Sequence, residues 1–367
     1  MLLYSASNLA IQVVLLSRLE GDFLTIATFL LFLAPLSNGL ILALLGEPAS
    51  LYRARGPSYT IRVSIAALFI SLAVGLSALF VADSCIGQPA LLALLLTIVL
   101  QQTTGPARRI SYGSSGTSPF QSASAFIIIL SLACLFKLLS VTLYMTLIAS
   151  ASLVSLAVFT FFERRSRENI SRGIVEAAIK YGVPLTPSVI LAWIPIGVSG
   201  LALTHSSPEM GTYFKGALNF IVPAQVLISA NQARLLSQGA TDTSASALKI
   251  LYPYSVLIGV FSAILVAGSP LAYEIAYGSP PHPTIRLITA IFALSMVFQF
   301  LTSIHGVQIR ISGKTSVISK GYFVGAAFSA PSIILSYLYS SPILAALAVL
   351  ASGISTYIYL RRVDDRS

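Results

Sequence analysis

Apolar stretches of about twenty residues follow one another along the whole chain, and only short connections separate them. An α-helix needs that length to cross the hydrocarbon core of a bilayer. The pattern predicts twelve spans, at residues 2–17, 23–45, 62–82, 89–107, 119–137, 141–162, 182–203, 211–233, 248–270, 285–306, 317–338 and 342–360. The first span is short, which predicts either a helix tilted into the bundle or a protein that starts upstream of Met1.

The composition agrees with this pattern, because 56% of the residues are hydrophobic and only 9% are charged. In a soluble domain about a quarter of the residues are charged. The shortage extends over the whole chain, which excludes a soluble domain with a membrane anchor. The predicted fold class is therefore all-α: a polytopic membrane protein with about twelve transmembrane helices in two six-helix bundles around a central cavity.

The basic residues predict the orientation of the chain. With both termini in the cytoplasm, only four of the 22 lysines and arginines lie on the outer side, namely Arg18, Lys137, Lys215 and Arg286. This bias follows the positive-inside rule and predicts a multi-pass protein of the cell (inner) membrane. It also explains the net charge of +10 without a nucleic acid partner.

The most highly charged connection lies near the middle of the chain and divides the spans into two sets of six. It predicts an N-terminal lobe at 1–163, a cytoplasmic basic linker at 164–181 and a C-terminal lobe at 182–367. A weak internal sequence repeat supports the division into two halves. An acidic residue, a glycine and an aromatic residue open spans two and eight, and a proline follows each of them, Pro35 and Pro223. Repeated halves are common in transporters.

Polar side chains inside the spans are candidates for the wall of a substrate cavity. These candidates are Tyr4, Asn8, Gln12, Asn38, Lys215, Asn219 and Gln225, together with Arg18 at the outer end of span one. The first three share one face of span one, where they either bond to a neighbouring helix or face a hydrated cavity. Lys215 and Asn219 share a face of span eight, and Lys215 either snorkels to the headgroups or contacts an anionic substrate. Gln225 lies deeper, on another face.

Two further sets of residues have both a structural and a functional interpretation. Prolines interrupt spans two, seven and eight, and they are either packing kinks or hinges beside a cavity. The hinge candidates are Pro35, Pro184, Pro187, Pro195 and Pro223. At the inner end of span four, Arg108 and Arg109 either anchor the topology or form a cytoplasmic access point that attracts phosphate. Arg234, at the inner end of span eight, is a further candidate for this access point.

The sequence argues against an enzyme and against one kind of coupling. The loops are too short for a soluble catalytic domain, the three histidines have no ligand spacing, and no cofactor is expected. Gly313-Lys314-Thr315 lacks the preceding glycine of a phosphate-binding loop. None of the twelve acidic residues lies near the middle of a span, which argues against an exchanger that uses a buried carboxylate.

Three stretches of the chain resemble one family of transporters. They are the segment Arg18–Phe23, the segment Tyr181–Pro187 with Trp193, and the segment Ser207–Tyr213. With twelve spans in two lobes, the chain resembles the multidrug/oligosaccharidyl-lipid/polysaccharide (MOP) exporter superfamily, and within it the O-antigen flippases of the polysaccharide-transporter branch. The glycine that usually follows the leucine of the first segment is Glu20 here.

The resemblance implies alternating access around a cavity lined by spans one, two, seven and eight. The implied substrate is an undecaprenyl-pyrophosphate-linked oligosaccharide, and the implied partners are the bilayer and other glycan assembly proteins such as a polymerase or a chain-length regulator. Basic candidates for contact with the pyrophosphate are Arg18, Lys215, Arg108, Arg109 and Arg234. The alternatives are a cation-coupled multidrug exporter of the same superfamily, a membrane polysaccharide polymerase, which is expected to have a larger outer loop than the one around 271–284, and a non-transporting scaffold.

Overall fold

The computed structural model contains helices and no strand in the part of the chain that it describes. The described residues are 2–46, 57–81, 94–101, 103–104, 118–163, 182–225, 228, 244–278, 280–311 and 315–364. Lipid offers no hydrogen-bond partner to a bare backbone, so a helix, which satisfies its own backbone, is the expected element for each apolar stretch.

Within these residues every predicted span coincides with a helical segment. The segments are α1 (Leu2–Arg18), α2 (Gly21–Ile41, with a π-helical turn at Leu42–Gly46), α3 (Pro57–Val81), α4 (94–101 and 103–104), α5 (Ser118–Leu135), α6 (Val141–Glu163), α7 (Val183–Ser206), α8 (Pro208–Asn219), α9 (Ser244–Tyr277), α10 (Ile285–Ile311), α11 (Thr315–Tyr339) and α12 (Pro342–Asp364). The sequence-based fold class is therefore confirmed: the protein is an all-α polytopic membrane protein.

By length and composition, six of the described helices are long and apolar enough to cross a membrane. They contain the stretches Gly21–Leu45, Val141–Phe161, Val183–Ser206, Ile285–Gly306, Ser316–Tyr339 and Pro342–Val363. Shorter apolar stretches occupy α3, α5 and the second half of α9. A turn at residues 136–140 separates α5 from α6, and Lys137 adopts a φ of 61° there.

Helix α9 corrects one prediction about the outer connections. The sequence placed the longest outer loop around 271–284, but α9 continues to Tyr277, so the described loop begins at Gly278. Residues 271–277 contain neither proline nor glycine, and nothing in them stops the helix. The helix ends at Gly278, where a φ of +65° gives the left-handed C-terminal conformation that glycine adopts at little cost.

Helix α7 accommodates its three prolines in one continuous helix. Pro184 lies in the first turn, where a backbone N–H has no intrahelical partner to lose, and Pro187 lies at the edge of that turn. Pro195 is buried in the helix interior, where its missing N–H leaves the Leu191 carbonyl without the usual bond. Pro184 therefore costs α7 no hydrogen bond, whereas Pro187 and Pro195 each leave one carbonyl of α7 without its usual bond.

The chain forms two compact units. One unit comprises Ala6–Ile190, and the other comprises Leu191–Ser367 together with Met1–Ser5. The first contains the packed pairs α2–α3, α5–α6 and α3–α6, and the second packs α12 against α10 and α11 and α9 against α10. The lobe boundary predicted at 164–181 lies outside the described residues.

Helices α11 and α12 approach each other through small residues. Gly321 and Gly325 lie four residues apart on α11, where side chains share one face. An added Cβ at Gly321 would lie 2.8 Å from Leu360 Cδ2, and one at Gly325 would lie 2.2 Å from Thr356 Oγ1. Glycine pairs at this spacing allow close helix packing in membranes. Beside them, Ile309, Ile318 and Leu360 form a buried apolar cluster.

We expect Gly325→Ala to destabilise the protein by about 1–2 kcal/mol, because its methyl group must displace the side chains of Thr356 and Ser352. The measurement is thermal unfolding of the purified chain in detergent. Gly306→Ala on α10 is the matched control, because a Cβ there meets nothing within 4 Å. Equal stability of the two variants would show that the α11–α12 contact tolerates a methyl group.

Candidate substrate site

Helix α8 begins at a tight connection from α7. Ser207 caps the helix by accepting a hydrogen bond from the Met210 N–H, and Pro208 occupies the first turn, where its missing N–H costs nothing. Gly211 then packs on the end of α7, where an added Cβ would lie 2.5 Å from the Thr204 Cα. The predicted glycine-aromatic opening of span eight thus has a packing reason.

The corresponding glycine of the first half acts differently. Gly21, at the start of α2, has a φ of +56°, and an added Cβ would meet nothing within 4 Å. That conformation is unfavourable for residues with a Cβ, so glycine is needed here for its backbone conformation and not for close helix packing. The glycine that recurs at the start of both halves therefore has a different structural role in each half.

Helix α8 breaks after only twelve residues, at Phe220 and Ile221. The N–H groups of these two residues bond to the carbonyls of Ala217 and Leu218, three residues back, at 3.3 and 3.2 Å. Pro223 explains the break, because it has no N–H for the Asn219 carbonyl and its ring crowds that carbonyl. A rise of 1.5 Å per residue puts Asn219 about 17 Å from the start of α8, which is near the middle of a ~30 Å bilayer core.

A hydrogen-bonded group of side chains surrounds the last turn before the break. The Asn219 Nδ2 donates to the Tyr277 hydroxyl at 3.1 Å, and that hydroxyl donates to the Gly216 carbonyl at 3.3 Å. One turn nearer the start of α8, the Tyr213 hydroxyl donates to the carbonyl of His282 at 3.2 Å. We call Tyr213, Asn219, Tyr273, Tyr277 and His282 the tyrosine–asparagine cluster.

Aromatic contacts join the same residues of the cluster. The rings of Tyr273 and Tyr277, one turn apart on α9, lie 4.7 Å apart between centroids. The Tyr213 ring lies 5.3 Å from both Tyr273 and His282. Gly216 admits the two α9 rings, since an added Cβ would lie 3.1 Å from Tyr273 and 3.2 Å from Tyr277. The cluster therefore ties α8 to the end of α9 and to the following loop.

Two polar groups of α8 give the site its chemistry. Lys215 is 6% exposed and Asn219 is 1% exposed, so neither side chain reaches the surface. The contact of Lys215 with an anionic substrate stays a prediction. The Asn219 Oδ1 has no hydrogen-bond partner among the described residues, although it is buried. A buried acceptor without a donor is costly, so a ligand hydroxyl or amide that donates to it would be favoured.

We expect Tyr277→Phe to destabilise the protein by about 1–3 kcal/mol, because it leaves the buried Asn219 amide and the Gly216 carbonyl without their partner. Thermal unfolding in detergent is the measurement. Tyr339→Phe is the control, because Tyr339 is 72% exposed at the end of α11. If both variants unfold at the same temperature, the bridging hydroxyl contributes nothing measurable.

The candidates on α1 and α2 lie on other helices. Asn8 is half-buried, and its Oδ1 accepts a hydrogen bond from Gln101 Nε2 on α4, which agrees with the interhelical alternative for this residue. Gln12 is half-buried, and its Oε1 has no partner among the described residues. Arg18 is half-buried at the end of α1, and Asn38 is half-buried on α2.

The remaining candidates are only partly described. Gln225 is half-buried in the short helical stretch after the break. Pro35 lies within α2 and is exposed. The side chain of Tyr4 and the whole of Arg108, Arg109 and Arg234 lie outside the described residues. Of the predicted residues, the structure brings together Lys215, Asn219 and the break caused by Pro223.

Solved structures show which known fold the chain has. Over 99% of its length it matches a multidrug resistance MATE family transporter of the MOP superfamily, in the inward-facing conformation at TM-score 0.58 and 14% identity, covering 95% of that chain. The outward-facing conformation of such a transporter matches over the same share at TM-score 0.61 and 13% identity, covering 92% of that chain. The chain has the same fold as these solved structures.

A third solved structure widens this comparison. The chain matches a MOP superfamily transporter from Pyrococcus furiosus Vc1 at TM-score 0.62 and 14% identity, covering 99% of this chain and 94% of that one. That transporter is described as having a binding pocket of reverse polarity, which suggests a different function. No family model and no curated protein matches the sequence. At these identities the structural similarity establishes the fold, and the function has to be inferred from the residues of the site.

The sequence analysis missed the aromatic half of the site. Tyr273 and Tyr277 lie in the segment that it assigned to a loop, and His282 was set aside because it has no metal-ligand spacing. The signal that was present is the spacing of the two tyrosines, four residues apart, which puts both on one helix face. The spacing is informative only if α9 extends beyond residue 270, which the sequence analysis did not predict.

Proposed function

We propose that this chain is a membrane transporter that moves a lipid-linked oligosaccharide, an undecaprenyl-pyrophosphate-linked repeat unit, across the membrane by alternating access. The product would serve cell-surface polysaccharide biosynthesis. In this proposal both termini face the cytoplasm, as the distribution of lysines and arginines predicts. The translocation involves no covalent chemistry.

The observation that carries the proposal is the polarity of the α8 site. A buried lysine and a buried amide lie within two turns of a helix break. Interrupted helices near the middle of the bilayer form substrate sites in several transporter folds. A cationic side chain there favours a pyrophosphate, and the Asn219 Oδ1 favours a hydroxyl donor such as a sugar.

The carboxylates support the same polarity. Glu20, Asp22, Glu209 and Glu274 are exposed, and they are the acidic residues whose side chains lie in the described part of the chain. An exporter of cationic drugs that exchanges them for protons or sodium is expected to use a buried carboxylate. For the Pyrococcus furiosus protein with the same fold, a reversed pocket polarity is itself taken to suggest a different function.

Loss of the gene in a glycan-producing cell is the first test. We expect complete lipid-linked repeat units to accumulate in the cytoplasmic leaflet. Accumulation of unpolymerised units in the outer leaflet would instead identify a polymerase. Unchanged glycan export and unchanged lipid-linked pools would overturn the proposal.

A second candidate function is cation-coupled multidrug export, which is favoured by the description of structural neighbours as multidrug resistance transporters. Proteoliposomes separate the two candidates. Transfer of a fluorescent polyprenyl-pyrophosphate oligosaccharide between leaflets supports the flippase, provided that an imposed proton or sodium gradient drives no efflux of cationic dyes. Gradient-driven efflux of dyes without lipid transfer supports the exporter.

A further inference from the structure

An apolar groove of about 520 Å³ lies between α3, α4 and α6, inside the unit Ala6–Ile190, whereas the α8 site belongs to the other unit. Ile61 and Ile65 form one wall on α3, and Leu153 and Phe161 form the opposite wall on α6. These four side chains are 43%, 48%, 50% and 56% exposed, so the groove is open at the surface of the chain.

The groove has three polar lining residues, Ser64, Thr103 and Thr160. The Ser64 hydroxyl has no hydrogen-bond partner among the described residues, but it is buried and does not reach the groove surface. The Thr103 and Thr160 hydroxyls donate to carbonyls of their own helices, those of Val99 at 2.8 Å and Leu156 at 2.7 Å. Their methyl groups and the aliphatic walls remain, so the surface suits a hydrocarbon chain and not a sugar or a peptide.

One described basic residue lies beside the groove. Arg62 is exposed and directly follows the lining residue Ile61. In the sequence, Arg53 and Arg55 precede α3, and Arg164 and Arg165 follow α6 after Glu163. The positive-inside rule assigns these residues to the cytoplasmic leaflet, whose anionic lipids attract basic residues close to the membrane.

We propose that the groove binds one acyl chain of an anionic phospholipid of the cytoplasmic leaflet, with the lipid phosphate at Arg62. The occupant is a resident bilayer lipid such as phosphatidylglycerol. This binding is independent of the transported substrate, because none of the groove residues belongs to the α8 site.

The test uses the full chain in nanodiscs that contain phosphatidylglycerol or phosphatidylcholine with a photoactivatable group on one acyl chain. Crosslinked peptides are quantified by mass spectrometry. In the wild-type chain we expect labelling of α3 and α6 to favour phosphatidylglycerol. Arg62→Gln should lower that preference by about fivefold, the effect of one basic residue at the membrane surface.

Leu153→Trp fills the groove and should remove most of this labelling. Leu132→Trp is the matched control, because Leu132 on α5 is also 50% exposed but does not line the groove. Equal labelling by the two lipids in the wild-type chain, or equal labelling in the two tryptophan variants, overturns the assignment. Competition by polyprenyl phosphate, but not by unlabelled phosphatidylglycerol, would overturn it in favour of a tail site for the transported lipid.

Discussion

Lys215→Met is expected to lower the rate of transfer of a polyprenyl-pyrophosphate oligosaccharide in proteoliposomes by about tenfold to a hundredfold. The side chain is buried about 10 Å along α8, and a charge-assisted hydrogen bond in such surroundings contributes roughly 1.5–3 kcal/mol. Lys215→Arg keeps the charge and should retain most of the activity. The measurement is the initial rate of appearance of the labelled lipid in the opposite leaflet.

Two controls make the Lys215 result specific. Lys137→Met removes a lysine that is exposed on the turn between α5 and α6, and it should leave the rate unchanged. A polyprenol-linked oligosaccharide without phosphate should be transferred equally by the wild-type chain and by Lys215→Met. Equal rates for wild type and Lys215→Met with the pyrophosphate substrate would rule out the lysine as its contact. Comparable thermal unfolding of both variants separates a lost contact from a lost fold.

Gly211→Ala is expected to destabilise the protein by about 3 kcal/mol, the upper end of the usual effect of overpacking. Its methyl group would lie 2.5 Å from the Thr204 Cα and 2.1 Å from the Thr204 Oγ1. A backbone atom cannot rotate away, so the start of α8 must move from the end of α7. This distinguishes Gly211 from Gly325, whose nearest neighbours are side-chain atoms.

Thermal unfolding in detergent and the yield of monodisperse protein measure the Gly211 effect. Gly268→Ala is the matched control, because Gly268 also lies within a helix and a Cβ there meets nothing within 4 Å. It should be neutral or slightly stabilising, since alanine favours the helix more than glycine does. If both variants unfold together, the close approach of α7 and α8 is not required for stability.

The helices themselves were largely predictable from the sequence. Span one at 2–17 corresponds to Leu2–Arg18, and the boundary between the spans at 119–137 and 141–162 corresponds to the turn around Lys137. The reason is local: in lipid, each apolar stretch must satisfy its own backbone hydrogen bonds, and a helix of that length does so. The end of α9 was misplaced because apolarity declines before Gly278 terminates the helix.

The candidate site was predictable only in part. Sequence spacing put Lys215 and Asn219 on one face of α8 and marked Pro223 as an interruption, because both follow from the geometry of one helix. It did not indicate that Asn219 bonds to Tyr277 or that Gln101 bonds to Asn8. These partners are 58 and 93 residues apart, so they meet only when separate helices pack.

The sequence by itself thus determined that this is a polytopic helical membrane protein, which stretches form its helices, and that Pro223 interrupts span eight. Those properties follow from the length and apolarity of each segment and from the missing N–H of proline. Only the tertiary structure decided which polar groups are buried together, and that Gly211 and Gly325 are contact points between helices. Such pairings depend on the faces that packed helices present to one another, which no single segment encodes.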